Sequence, residues 1–242
     1  MAVETGAMPP AQRLLEILGP VDRFHDVAAL GDFGMPARAT TEALAQQVIN
    51  PVALFPTDNN GVIVELPAVS GSEATVNGSL VFGIGTQANN GLGSATIFTI
   101  DKTFSFSVDY KGTFYGGSFI DSGSNGYFFL DSSIVPALTD CSSTSGVAGF
   151  YCPSTTQNFT ATNEGLNKAT GTVDFSIANA QSLFANTSDT AFSELGGPSI
   201  PAGTNSSQAY FDWGLPFFYG RNVYTAIEGK STPGGTGPYW AY

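Results

Sequence analysis

An all-β fold with only short helices is the class this sequence predicts, and three observations carry it. Charged residues make up 12% of the 242 positions and aromatics another 12%, against abundant Gly, Ser, Thr and Asn, which is the composition of strands joined by polar turns. Short apolar runs alternate with polar residues: in Thr103 to Tyr110, Phe104, Phe106 and Val108 alternate with Thr103, Ser105, Ser107 and Asp109, so one face packs and the other is wet. Turn dipeptides separate the runs, as at Asn60-Gly61 and Lys111-Gly112. The length suits one larger all-β domain or two small ones.

The net charge of −12 and pI near 4.1 exclude nucleic acid and anionic membrane as partners. No run approaches the ~18 apolar residues of a membrane span. The start of the chain lacks a signal peptide, because Arg13, Glu16, Asp22 and Arg23 interrupt any apolar core. Cys141 and Cys152 lie close together in a Ser/Gly-rich loop without the His or further Cys of a zinc site, and a disulfide is expected. Closing so short a loop stabilises by roughly 3 kcal/mol in an oxidising compartment. No cofactor or metal is expected: Gly83-x-Gly85 is too short for a dinucleotide fingerprint, and Asp58-Asn59-Asn60-Gly61 lacks the later Glu of a calcium loop. His25 has no Ser or Cys partner in a motif. Asn77, Asn158, Asn186 and Asn205 fit the glycosylation pattern in a chain rich in Asn, Ser and Thr.

Residues 1–45 differ from the rest, holding Arg13, Arg23, Arg38, every Met and the single His. Leu14 to Leu18 and Thr41 to Val48 can form short helices, so this stretch reads either as a helical extension or as a poorly ordered leader from an unusual start or a shifted frame. Residues 46–242 form the β domain. Asn50 to Phe55 leads to a hairpin turn at Asp58 to Gly61, followed by a strand over Val62 to Leu66. Gly78 to Gly85 reads as a buried strand, and Ala95 to Ile100 and Thr103 to Tyr110 read as further strands. Lys111-Gly112 turns the chain into Gly117 to Phe129, where an apolar strand ends at Asp121, Ser122-Gly123-Ser124 form a turn, and an aromatic strand returns. That stretch is either an ordinary β-turn or a carboxylate held at a hairpin tip. Asp131-Ser132-Ser133 signals a cap for one or two helical turns over Ile134 to Thr139. Residues 153–170 read as polar turns, Thr172 to Ile177 as a strand and 185–207 as surface loops. Tyr210 to Glu228 is apolar and central, and Gly237 to Tyr242 reads as a final edge strand.

Two separated segments, Phe119 to Ser124 with its aromatic strand and Trp213-Gly214-Leu215 with Phe217-Phe218 and Val223 to Glu228, resemble the C-terminal lobe of a pepsin-like aspartic peptidase. In that lobe an Asp-Thr/Ser-Gly-Thr/Ser turn is crossed by a later strand carrying an apolar-Gly element. The likeness covers about 59–242. More narrowly, Gln47 to Val64, Phe82 to Gln87, Asp121 to Gly126 and Gly214 to Arg221 resemble a family of uncharacterised exported proteobacterial proteins. The resemblance implies a single pepsin-like lobe with Asp121 as a catalytic carboxylate. It further implies that Gly123 permits close approach of a symmetry mate, Ser122 bonds across to another lobe, Ser124 donates to the carboxylate, and Trp213, Gly214 and Leu215 support the site.

Such chemistry needs a pair of carboxylates sharing a proton, one acting as base on water and the other as acid. No second Asp-Ser/Thr-Gly turn is present, since Val3-Glu4-Thr5-Gly6 has Glu for Asp and no preceding strand. The reading is therefore half of an aspartic endopeptidase, inactive alone, completed by a missing N-terminal lobe or a homodimer mate and acting on peptide or protein. It belongs to an exported full-length protein, and a lone lobe would expose Phe217, Phe218 and Tyr219. The other reading is a non-catalytic, exported β-rich binding or surface protein.

Overall fold

Residues 50–200 and 208–242, described by a computed structural model, form a mostly β chain whose strands are β1 (Gly61–Glu65), β2 (Ser72–Glu73), β3 (Ser79–Phe82), β4 (Ile97–Thr99), β5 (Phe106–Tyr110), β6 (Thr113–Ile120), β7 (Tyr127–Phe129), β8 (Gln157–Glu164) and β9 (Thr170–Ile177), then, after the short helix α1 (Ala180–Leu183), β10 (Ala191–Phe192), β11 (Gly196–Gly197), β12 (Phe211–Trp213), β13 (Asn222–Ala226), β14 (Ser231–Thr232), β15 (Gly235–Thr236) and β16 (Tyr239–Ala241). A five-stranded sheet runs β3-β1-β13-β16-β4 and a seven-stranded sheet runs β11-β7-β12-β6-β5-β8-β9. Side chains of both sheets meet in the main core, with Val64, Val223 and Trp240 from the first and Phe106, Phe129, Phe175, Phe211 and Trp213 from the second. The other face of the five-stranded sheet is buried too, under Ile63, Ile84, Tyr224 and Tyr239. A strand covered on both faces needs a continuous apolar run, which is what Val62-Ile63-Val64 supplies.

The alternation read in the Thr103 to Tyr110 stretch appears as β5, in which Phe106, Val108 and Tyr110 are buried while Ser107 and Asp109 are not. Lys111 and Gly112 both take positive φ, 53° and 81°, the geometry a tight hairpin with right-twisted strands requires. They join β5 to β6. Cys141 and Cys152 are bonded to each other. Among the described residues no helix is long and apolar enough to cross a membrane. The expected helices over Leu14 to Leu18 and Thr41 to Val48 lie outside the described residues.

Several expectations are corrected. Pro51–Leu54 is a 3-10 turn capped by the Asn50 side chain on the Val52 amide, because Pro51 fixes φ and removes a donor. β1 therefore pairs with β13 and β3 rather than in a local hairpin. β3 is an edge strand with no buried residue, and no helix forms over Ile134 to Thr139, where the chain makes only turns. Residues 157–164, read as turns, form the long strand β8 paired along its whole length with β9; its Thr-rich pattern hid a strand with one wet face. Phe192 and Leu195 are buried within the expected surface loop. The tail strand β16 sits inside its sheet, between β13 and β4. Phe217, Phe218 and Tyr219 are buried rather than exposed, because Leu215–Phe218 turns as a 3-10 helix whose phenylalanines join the main core.

Candidate carboxylate site

Strand β12 lies between β6 and β7, parallel to β6 and antiparallel to β7. Two strands consecutive in the chain are thus separated by a third arriving much later. Phe211 and Trp213 point from β12 into the core. The Trp213 ring meets Tyr127 and Phe175 edge-on, at centroid distances of 5.7 and 5.2 Å, and its indole N–H donates to Asn163 at 2.8 Å. That bond satisfies the one polar group of a fully buried ring. Asn163 in turn donates to the Tyr242 hydroxyl at 2.9 Å.

Asp121 follows β6 directly, and its backbone N–H donates to the Trp213 carbonyl at 3.1 Å. Its Oδ1 accepts the Gly123 N–H at 2.8 Å and its Oδ2 the Ser124 hydroxyl at 3.1 Å, the short-range pattern that Asp favours in turns. The Leu215 N–H closes the other side by donating to the Ser124 carbonyl at 2.7 Å. Gly214 is needed here, because a Cβ would lie 2.0 Å from the Gly126 carbonyl oxygen and 2.7 Å from that of Ser124. Trp213, Gly214 and Leu215 therefore grip the turn. Gly123 is exposed, Asp121 and Ser122 are partly exposed, and the Ser122 side chain takes no hydrogen-bond partner among the described residues.

A residue to which the sequence reading gave no weight completes the cluster. Ser124 Oγ also lies 2.6 Å from Asp212 Oδ2, so the carboxyls of Asp121 and Asp212 are no farther apart than two hydrogen bonds laid end to end. Asp212 alternates with Phe211 and Trp213 and so faces away from them, opposite Phe119 on β6 and Phe128 on β7. It is only 8% exposed, and its Oδ1 is buried without a partner among the described residues. Burial, reinforced by the charge of Asp121 and opposed by the Ser124 hydrogen bond, pushes the Asp212 carboxyl up to about 8. The sequence did carry a signal for it: an acidic residue in the middle of the apolar run Phe211-Asp212-Trp213 is costly unless paired or protonated.

A buried acid and a partly exposed carboxylate joined through one hydroxyl make an arrangement suited to moving or holding a proton. Beside it lies an open cleft of about 380 Å³ lined by Asn125, Phe184, Asn186, Thr187, Asp189, Thr190 and Phe192. A family model described as "protein of unknown function (DUF3443)" matches residues 34–242. No curated protein matches the chain.

Proposed function

The chain belongs to the DUF3443 family, a family of proteins of unknown function, and for it we propose half of an aspartic-type endopeptidase, in which Asp121 and a second carboxylate from another lobe or another copy activate water against a peptide bond. The observation that carries the reading is the Asp121 turn itself. Its carboxylate is fixed by the Gly123 N–H and the Ser124 hydroxyl, and β12 is threaded behind it. A general base must be oriented and still reach its substrate, and Asp121 remains partly exposed. The crossing of β12 between β6 and β7 is the arrangement the resemblance to a pepsin-like lobe implies. The disulfide supports export to an oxidising compartment.

Cleavage of an unfolded protein at acidic pH, with and without pepstatin, tests the reading. If a second copy completes the site, specific activity rises with chain concentration. If a second lobe does, only the protein carrying both lobes cleaves. In either case Asp121→Asn abolishes pepstatin-sensitive cleavage, and cleavage unchanged by that substitution sinks the proposal in favour of a non-catalytic β-rich binding module.

A further inference from the structure

The hydroxyl of Ser124 has one proton and two acidic neighbours. A serine oxygen donates once and accepts through its lone pairs, yet here it contacts Asp121 Oδ2 at 3.1 Å and Asp212 Oδ2 at 2.6 Å. With both carboxyls ionised, one of these contacts would be oxygen against oxygen with no hydrogen between. Both become hydrogen bonds when one of the carboxyls carries a proton. We infer that this proton resides on Asp212, and that Asp212 is a positioning residue whose O–H donates to Ser124 so that the Ser124 O–H is directed at Asp121.

Three observations place the proton on Asp212 rather than Asp121. Asp212 is buried while Asp121 is partly exposed, and burial without compensation favours the neutral acid. Asp121 accepts a backbone N–H from Gly123, whereas Asp212 Oδ1 is buried with no donor among the described residues. A carbonyl oxygen of a neutral acid tolerates that lack far better than half of a carboxylate does. Among the described residues no cation lies close enough to change the balance. Among them, Asp121 just after β6 and Tyr210 just before β12 are the titratable groups that bear on Asp212. β7 turns Phe128 to that face and keeps Tyr127 on the other, against Trp213.

The inference rests on the reading of Asp121 as the reacting carboxylate and adds a control on it. While Asp212 is neutral, Asp121 has two donors and a neutral neighbour. When Asp212 ionises, the Ser124 proton turns toward Asp212, so Asp121 loses a donor and gains a negative charge close by. The site therefore has an alkaline switch built from this chain alone.

The test follows the side-chain carboxyl carbons of aspartate-labelled full chain by ¹³C NMR as pH rises, without any substrate. Asp212 is expected to remain protonated through neutrality and to titrate near pH 8, with Asp121 reporting an inflection at the same pH. Ser124→Ala reduces that alkaline inflection at Asp121 to the part carried by charge alone while leaving Asp212 protonated at neutrality, and Asp212→Asn removes it altogether. An Asp212 carboxyl found ionised at neutral pH overturns the inference, as does an Asp121 signal blind to the titration of Asp212 in the native chain. Should Asp212→Asn fail to fold, the native titration and Ser124→Ala decide alone. Since no cleavage is measured, a failed peptidase reading and a failed proton assignment remain distinct results.

Discussion

Strand β7 has an aspartate turn at each end, and the two use the same local chemistry to different ends. Asp121 leads Ser122-Gly123-Ser124 into the strand, and Asp131 leads Ser132-Ser133-Ile134 out of it. Each carboxylate accepts the N–H two residues on, at 2.8 Å from Gly123 and 2.7 Å from Ser133. Asp131 also accepts the Ile134 N–H at 3.0 Å and the Ser133 hydroxyl and is wholly buried, so nothing can reach it. Asp121 stays partly open, and β12 crosses behind it to bring Asp212 to its serine. A short motif thus sets an aspartate turn, while what the rest of the fold brings to that turn decides whether it is a buried cap or a candidate site.

The contrast breaks most sharply if the crossing strand is undone. Trp213→Ala is expected to cost about 4 kcal/mol, as truncation of a buried Trp does, and to open the Asp121 turn to proteolysis while sparing the Asp131 turn. Urea denaturation and limited proteolysis with mapped cut sites check both, and equal cutting at the two turns would erase the distinction.

Asp212→Asn comes next and carries a pH signature. The Asp212 carboxyl binds its proton more tightly in the folded chain, at about 8, than when unfolded. Its contribution to stability is therefore present at acidic pH and is lost as pH rises from the ordinary carboxyl range through about 8. Asparagine cannot ionise, so the variant should gain on the native chain by on the order of a few kcal/mol at alkaline pH and little in acid, at about 1.4 kcal/mol for each tenfold difference in proton affinity. Melting temperatures of both proteins across pH read this directly, and a difference independent of pH would contradict the burial account.

Asp131→Ala should lower stability by about 1 kcal/mol, the usual effect of losing an Asp cap, and leave any cleavage activity intact. Asp121→Asn should change stability least, by about 0.5 kcal/mol, because the side chain is partly exposed and the amide oxygen can still accept one of its two hydrogen bonds, while abolishing cleavage. Denaturation midpoints paired with the peptide assay separate these two aspartates, and a reversed pattern would exchange their roles.

Much of this arrangement is legible in the sequence, and the part that is not has a physical reason. The β5 alternation, the Lys111-Gly112 turn, the Asp121 turn and the bonded cysteines all follow from local rules. β8 escaped because its Gln157-Asn158-Phe159-Thr160 run resembles turn residues until β9 is known to pair with it. β16 reads as an edge because nothing local reveals that β4 covers its far side. Asp212 is the instructive miss: attention to the apolar-Gly element around Trp213 and Gly214 passed over the charge beside it. Its meaning depends on Ser124, its hydrogen-bond partner from the turn before β7, and no local pattern encodes a contact between segments so far apart.

The threading of β12 between β6 and β7 also orders events during synthesis. The two strands made first must each hold an inner edge vacant until a strand much later in the chain emerges to fill both, a non-local closure of the kind that slows folding. Vacant edges are templates for intermolecular pairing, so the newborn chain is at its most adhesive just before β12 arrives. The arrival of that strand quenches the adhesive edges and installs the buried acid in one step, so an incompletely folded molecule is sticky and lacks its acid pair. Damage that later expels β12 would reverse both at once, and loss of the acid pair and the onset of aggregation should appear together.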